Sequence, residues 1–233
     1  MQTERHYTKN PVDFVAEQGG SYAFVLGIVL NDLKSNEIYK WFLAALFYGA
    51  RISEKIATHT WQVFKSHDVL SPEKVLSTGW DGLVALLDKG GYGRYDFKTA
   101  TKLLTVNQTL LNDYAGDLNR LHDLATDARD LEQRIIALGK GIGKVTTQIF
   151  LRELRGYWYK AMPPLSPLAL HAAKTMMYLP EDADSDTTAV IHLQQLWKDY
   201  KQSIKEFAHF EAALVRYGLY LRHHDKQRSA KLS

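Results

Sequence analysis

The residues best suited to chemistry lie in Leu138-Gly139-Lys140-Gly141-Ile142-Gly143-Lys144-Val145-Thr146. Apolar positions at helical spacing precede this stretch (Leu131, Ile135, Ile136, Leu138) and follow it (Val145, Ile149, Phe150, Leu154), so it reads as a glycine-rich hairpin between two helices. Gly141 and Gly143 permit positive φ and close approach of a partner, and the second helix begins with N–H groups that have no intrahelical acceptor. Such a start attracts an anion, a phosphate above all, and Lys140 and Lys144 add charge of the matching sign. The same turn would also suit a nucleotide, or no ligand at all. A Walker phosphate loop does not fit, because only three residues separate Gly139 from Gly143 and Val145 follows Lys144 where Ser or Thr would hold magnesium. The dinucleotide fingerprint fails on spacing, and no strand precedes the glycines.

Other stretches carry weaker chemistry. Lys89-Gly90-Gly91-Tyr92-Gly93-Arg94-Tyr95 is glycine-rich, aromatic and basic, and reads either as a ligand loop or as an aromatic turn facing the core. Tyr157, Trp158 and Tyr159 could stack on a base or simply pack a crossover. Asp182, Asp184 and Asp186 alternate as in a calcium loop but lack its glycine and closing glutamate, so a solvated loop is expected. His223-His224 could bind a metal, but adjacent histidines on a tail near the C-terminus rarely do so without partners. The expectation is therefore no metal and no cofactor.

Hydrophobic residues make up 45% of the 233-residue chain and aromatic ones 12%, enough to fill a real core. Lys plus Arg number 29 against 26 for Asp plus Glu, so a net charge of +3 does not by itself demand an acidic partner. Any basic surface must come from clustering. The absence of cysteine excludes disulfides, thiolate zinc sites and cysteine-held iron–sulfur clusters. The polar opening lacks a hydrophobic signal segment, so an intracellular location is expected, in cytoplasm, nucleoid or nucleus.

Turn residues recur every ~10–15 positions with no lasting period-two pattern, which predicts an all-α chain. Residues 11–20 read as a short helix or turn. The apolar runs 22–30 and 41–50 fall short of a bilayer span and read as buried helices, with no membrane partner. A helix over 37–48 should stop at Gly49, and Ser53 should cap the next over 54–64. Ser71-Pro72 should start a short helix, followed by others over 82–87, 96–111 and 127–138, with Thr126 at the start of the last. Ser166-Pro167 should start one reaching about Tyr178. Helices over 188–207 and 207–221 should close the chain, with residues 223–228 as a frayed tail.

In order, these features resemble the helix-hairpin-helix DNA glycosylase superfamily, the endonuclease III type, over most of residues 37–178. Residues 43–64 look like that family's helix, DNA-reaching loop and helix. Residues 87–104 are similar to its glycine, aromatic and lysine segment before a long helix. Residues 138–154 look like its hairpin, usually Leu-Pro-Gly-Val-Gly, and 207–221 like its closing helix, here without the cysteines of an iron–sulfur loop. The resemblance implies a two-lobed fold, with one lobe from 37–155 and the other from 1–36 plus 156–233. It also implies double-stranded DNA, damaged or intact, as partner. The hairpin residues Gly139, Lys140, Gly141, Gly143, Lys144 and Thr146 would hold phosphates. Arg51 with Ala50, and Tyr92 with Arg94 and Tyr95, would lie in the two loops that wedge into the base stack.

The family's catalytic positions are where this chain departs. Val145 stands where bifunctional members carry a Schiff-base lysine, and no acid lies between Glu153 and Glu181, where nearly all members carry an aspartate. An ungapped reading puts Pro163 there, and the nearby helix start is Ser166. Ser166, Lys140 and Lys144 are the remaining candidates for catalysis, although a serine cannot stabilise an oxocarbenium ion by charge. Three expectations follow: a DNA-binding protein without standard glycosylase or lyase chemistry, an active monofunctional glycosylase using another residue, or a helical interaction protein with no DNA role.

Overall fold

The computed structural model describes residues 9–93, 96–184 and 187–232, and all its regular elements are helical. The first seven α-helices are α1 (Pro11–Gln18), α2 (Tyr22–Val25), α3 (Ser35–Tyr48), α4 (Glu54–Ser66), α5 (Pro72–Lys89), α6 (Asp96–Tyr114) and α7 (Leu118–Leu124). They are followed by α8 (Ala128–Ala137), α9 (Lys144–Leu154), α10 (Pro167–Thr175), α11 (Thr187–Asp199) and α12 (Phe207–Leu232). Among the described residues no helix is long and apolar enough to cross a membrane.

The chain divides into a central unit, Leu26–Leu151, and a terminal unit built from Met1–Val25 with Arg152–Ser233. In the central unit α3 is buried all round, from Ile38 and Tyr39 through Trp41 to Phe47. A helix that is apolar on every face has to lie inside, and each large side chain it buries contributes about 1.5–3 kcal/mol. Its partners fix its orientation: Trp41 Nε1 donates to the Phe150 carbonyl at 2.9 Å, and the Phe42 and Phe150 rings meet edge to face at 5.2 Å. Tyr39 donates its hydroxyl to Asn107 Oδ1 at 2.7 Å, tying α3 to α6. Burial pushes the Tyr39 phenol's pKa well up.

The caps follow sequence. Ser53, Ser71 and Ser166 each accept a backbone N–H from the first turn of the helix they precede. For α8 the cap is Asp127 rather than Thr126. It accepts the Asp130 N–H at 2.8 Å, while Asp130 accepts the Thr126 N–H at 2.8 Å and Arg134 Nε at 3.0 Å. The Thr126 N–H, more than Arg134, holds the Asp130 carboxyl below its usual pKa. In α5 the backbone leaves the helical region at Gly79 (φ 69°, ψ 173°), so the two short helices expected there are joined across a kink.

Three expectations need correction. The run 22–30 is not a buried helix: α2 ends at Val25, Gly27 has φ 73°, and Phe24, Val25 and Val29 are exposed. The helix expected over 188–207 stops at Asp199. A capping box at Ser203, with Glu206 as its reciprocal partner, then starts a short 3-10 turn, Ile204–Glu206. Finally, α12 runs on through 223–228 to Leu232, where a frayed tail was expected.

The core of the terminal unit is aromatic. The Phe14, Tyr178 and Phe210 rings meet edge to face at 5.3–6.4 Å, and Trp197 stacks on Phe210 at 5.4 Å. Buried ions lie beside it. Arg155 donates from Nε to Glu211 at 3.0 Å and from Nη2 to the Pro163 carbonyl at 2.6 Å, and Glu153 accepts the N–H groups of Tyr22 and Ala23 at 3.1 and 3.3 Å.

Candidate functional site

The turn 138–143 joins α8 to α9 by alternating anchors with exposed positions. Leu138 and Ile142 are 1% and 4% exposed and hold the turn to the central unit. Lys140, Gly141, Gly143, Lys144 and Val145 face solvent. Ile142 N–H closes the turn on the Gly139 carbonyl at 3.2 Å, with Gly141 at φ 96°, in the left-handed region that an L side chain resists. Gly143 offers α9 no capping side chain, and no atom lies within 4 Å of where its Cβ would stand. A ligand therefore has open space at Gly143, at the start of α9 and beside two lysines.

The turn borders a groove of about 770 Å³ lined from several parts of the central unit. Ala50 and Arg51 come from the α3–α4 connection, Trp80 from α5, Tyr92 from the loop after it, and Lys140 with Gly141 from the turn. One face of α6 completes it with Phe97, Lys98, Thr101, Lys102 and Thr105, and with Thr99 beside them. Arg51, Lys98, Lys102 and Lys140 give the groove its charge. No carboxylate lines it among the described residues.

Lys102 sits deepest of these cations. Its Nζ donates to the Leu46 carbonyl at 3.4 Å, in the last turn of α3, where the helix dipole favours a cation. Its Cδ would lie 3.1 Å from a Cβ at position 141, so the turn rests on the lysine's stem. Burial pulls its pKa down to about 8. At the other side Trp80 and Phe97 are 40% and 59% exposed, with ring centroids 5.3 Å apart and planes tilted by 37°.

The expected site residues are thus brought together only in part. Arg51, Lys140 and Gly141 share the groove, and Lys144 and Gly143 stand beside it on the same turn. Tyr92 is no wedge: it is 2% exposed, packs edge-on to Phe47 at 6.0 Å, and burial pushes its phenol's pKa up. Thr146 is also withdrawn from solvent. It faces Gly49, whose Cβ, if present, would fall 2.8 Å from Thr146 Cβ and 2.9 Å from its Cα, so this side chain fits α9 to α3 instead of meeting a ligand. Gly139 is half-buried against Val106, leaving contact to its neighbours. Arg94 and Tyr95 lie outside the described residues, as does Asp186.

Ser166 has a structural task. Its Oγ accepts the Ala169 N–H at 3.2 Å as the cap of α10. The aromatic crossover 156–165 lines a hollow of about 430 Å³ in the terminal unit, where Trp158 is 2% exposed and Tyr159 is exposed. Among the described residues no three His, Asp or Glu side chains gather as a metal site.

Trp80, Phe97, Lys98 and Lys102 were missed from sequence. A signal was present for part of the set: 97, 98, 101, 102 and 105 repeat at helical spacing and so share one face of α6. Trp80 carries no such signal, because its place depends on how α5 packs against α6. Comparison with known protein families and with curated proteins gives no match for this chain.

Proposed function

We propose that this chain is a DNA-binding protein of the helix-hairpin-helix glycosylase type. In this reading it holds double-stranded DNA on the turn 138–144 without that family's standard glycosylase or lyase chemistry. The observation that carries the reading is the convergence of Lys140 and Gly141 with Arg51 on a groove that has four cations and no carboxylate among its described lining residues. Duplex DNA presents a phosphate charge every ~1.7 Å along its axis, which suits uncapped N–H groups flanked by lysines. The two-lobed glycosylase frame and an intracellular location belong to the same proposal.

The catalytic half of the reading rests on what the usual positions contain. Val145, 63% exposed at the start of α9, has no amine to attack a sugar. The Ser166 hydroxyl accepts its cap hydrogen bond, and the buried carboxylates Glu153 and Glu211 accept N–H donors of their own unit. Lys140 and Lys144 act as phosphate contacts.

The test is duplex binding against salt. Affinity should fall steeply as salt rises, and Lys140→Ala and Lys144→Ala should each lower the salt slope by about 1. Binding that is absent or flat with salt removes the DNA reading and leaves a helical interaction protein. Base release from duplexes carrying damaged bases, abolished by Ser166→Ala, would instead establish an active monofunctional glycosylase.

A further inference from the structure

We propose that the groove of the central unit holds one unpaired nucleotide of a strand, with its base on the exposed Trp80–Phe97 pair and its phosphate among Arg51, Lys102 and Lys140. The inference deepens the reading above and rests on it, because it takes the ligand to be nucleic acid. Single exposed apolar side chains are ordinary on a protein surface, whereas two aromatic rings in contact at the wall of a basic groove call for an occupant. The chemistry of that occupant follows from the lining: it must offer a flat ring and a negative charge within a volume of about 770 Å³. A nucleotide offers both.

The ring platform is held in place. Trp80 Nε1 donates to Thr101 Oγ1 at 3.1 Å, and Thr101 in turn donates to the Phe97 carbonyl at 3.0 Å, so one hydroxyl sets the indole against the helix that carries its partner ring. The anion end is equally defined. Among the described residues the Lys102 ammonium has a single long hydrogen bond, to the Leu46 carbonyl at 3.4 Å, and a phosphate beside it would satisfy its other protons. Burial depresses the Lys102 pKa, and a bound anion would raise it again. Lys140 and Gly141 border both the groove and the turn, so a strand held on the turn has its next nucleotide at the mouth of the groove. Bases within an intact duplex already cover each other's faces, so only an unpaired base can use the platform.

Tryptophan fluorescence tests this directly. Of the five tryptophans, Trp41, Trp61, Trp158 and Trp197 are at most 3% exposed, so Trp80 supplies the emission that acrylamide can quench. A single-stranded oligodeoxynucleotide of about ten residues should shield Trp80 from acrylamide, whereas inorganic phosphate and an acidic peptide should not. Phe97→Ala and Lys102→Met should each weaken single-strand binding roughly tenfold or more, with thermal unfolding recorded for both as a check on folding. Lys144 does not line the groove, so Lys144→Ala reads duplex binding separately. Duplex binding that responds to Lys144→Ala, together with single-strand binding that leaves Trp80 open to acrylamide or ignores both groove variants, overturns this inference alone. Loss of all duplex binding overturns the proposed function instead. Equal shielding by the acidic peptide would replace the nucleotide with a peptide ligand and overturn the assignment.

Discussion

In the terminal unit the buried charged side chains, Arg152, Glu153, Arg155, Lys160 and Glu211, lie among backbone groups, rings and one another. The central unit buries no Asp, Glu, Lys or Arg among its described residues, and its groove cations stand at the surface or, for Lys102, half-buried below it. Among the described residues none of Arg51, Lys98, Lys140 and Lys144 joins an ion pair. The physical consequence differs accordingly. A buried pair has already exchanged water for a protein partner and can only hold structure, whereas an unpaired surface cation keeps its field for whatever anion arrives. Net charge conceals this, since a chain at +3 can still present a strongly basic groove when its acids lie elsewhere.

The comparison breaks most visibly at Glu211. Glu211→Ala strands the Arg155 guanidinium in the core and should cost about 3–5 kcal/mol in urea unfolding. Lys140→Ala with Lys144→Ala should change stability by less than about 0.5 kcal/mol. A small loss at Glu211 would mean that the pair does not hold its unit together.

A smaller effect tests whether Lys102 is the one groove cation that the fold itself strains. Its folded-state pKa near 8 lies below the ordinary 10.5, so between these values the unfolded chain keeps a proton that the folded chain has released. The penalty is fully present below pH 8, and stability should rise by about 3 kcal/mol as pH increases from about 8 to about 10.5. Lys102→Met should flatten that part of the profile, and equal slopes for the two proteins would show that Lys102 carries no strain.

The smallest expected effect sharpens the contrast between holding structure and meeting a ligand. Gly143→Asp supplies the cap that α9 lacks, in open space, and should raise stability by about 0.5–1 kcal/mol. The same carboxylate would repel a phosphate, so duplex affinity should fall while stability rises. A variant improved in both would remove the turn as a phosphate site.

Much of the helical order was legible because it is local. Ser53, Ser71 and Ser166 cap helices through hydrogen bonds to N–H groups three residues away, and the run 41–47 is apolar enough to have only one place to go. Where local signals misled, distant packing had intervened. Residues 22–30 are as hydrophobic as a buried helix, yet the break at Gly27 leaves three of their large side chains exposed. Tyr92 sits in a glycine-rich basic loop like a ligand contact, yet Phe47 gives its ring a partner in the core.

By itself, then, the sequence determined an all-helical chain, the caps Ser53, Ser71 and Ser166, and a glycine- and lysine-rich turn at 138–144 between two helices. These features depend on backbone hydrogen bonding and on periodicity within a few residues. The tertiary structure alone decided which distant residues meet that turn: Arg51 from one connection, Trp80 from α5, and the Phe97, Lys98 and Lys102 face of α6. The reason is geometric. A helix announces its faces in its periodicity, but which face is covered depends on side chains far along the chain, as Gly49 against Thr146 and Lys102 beneath Gly141 illustrate.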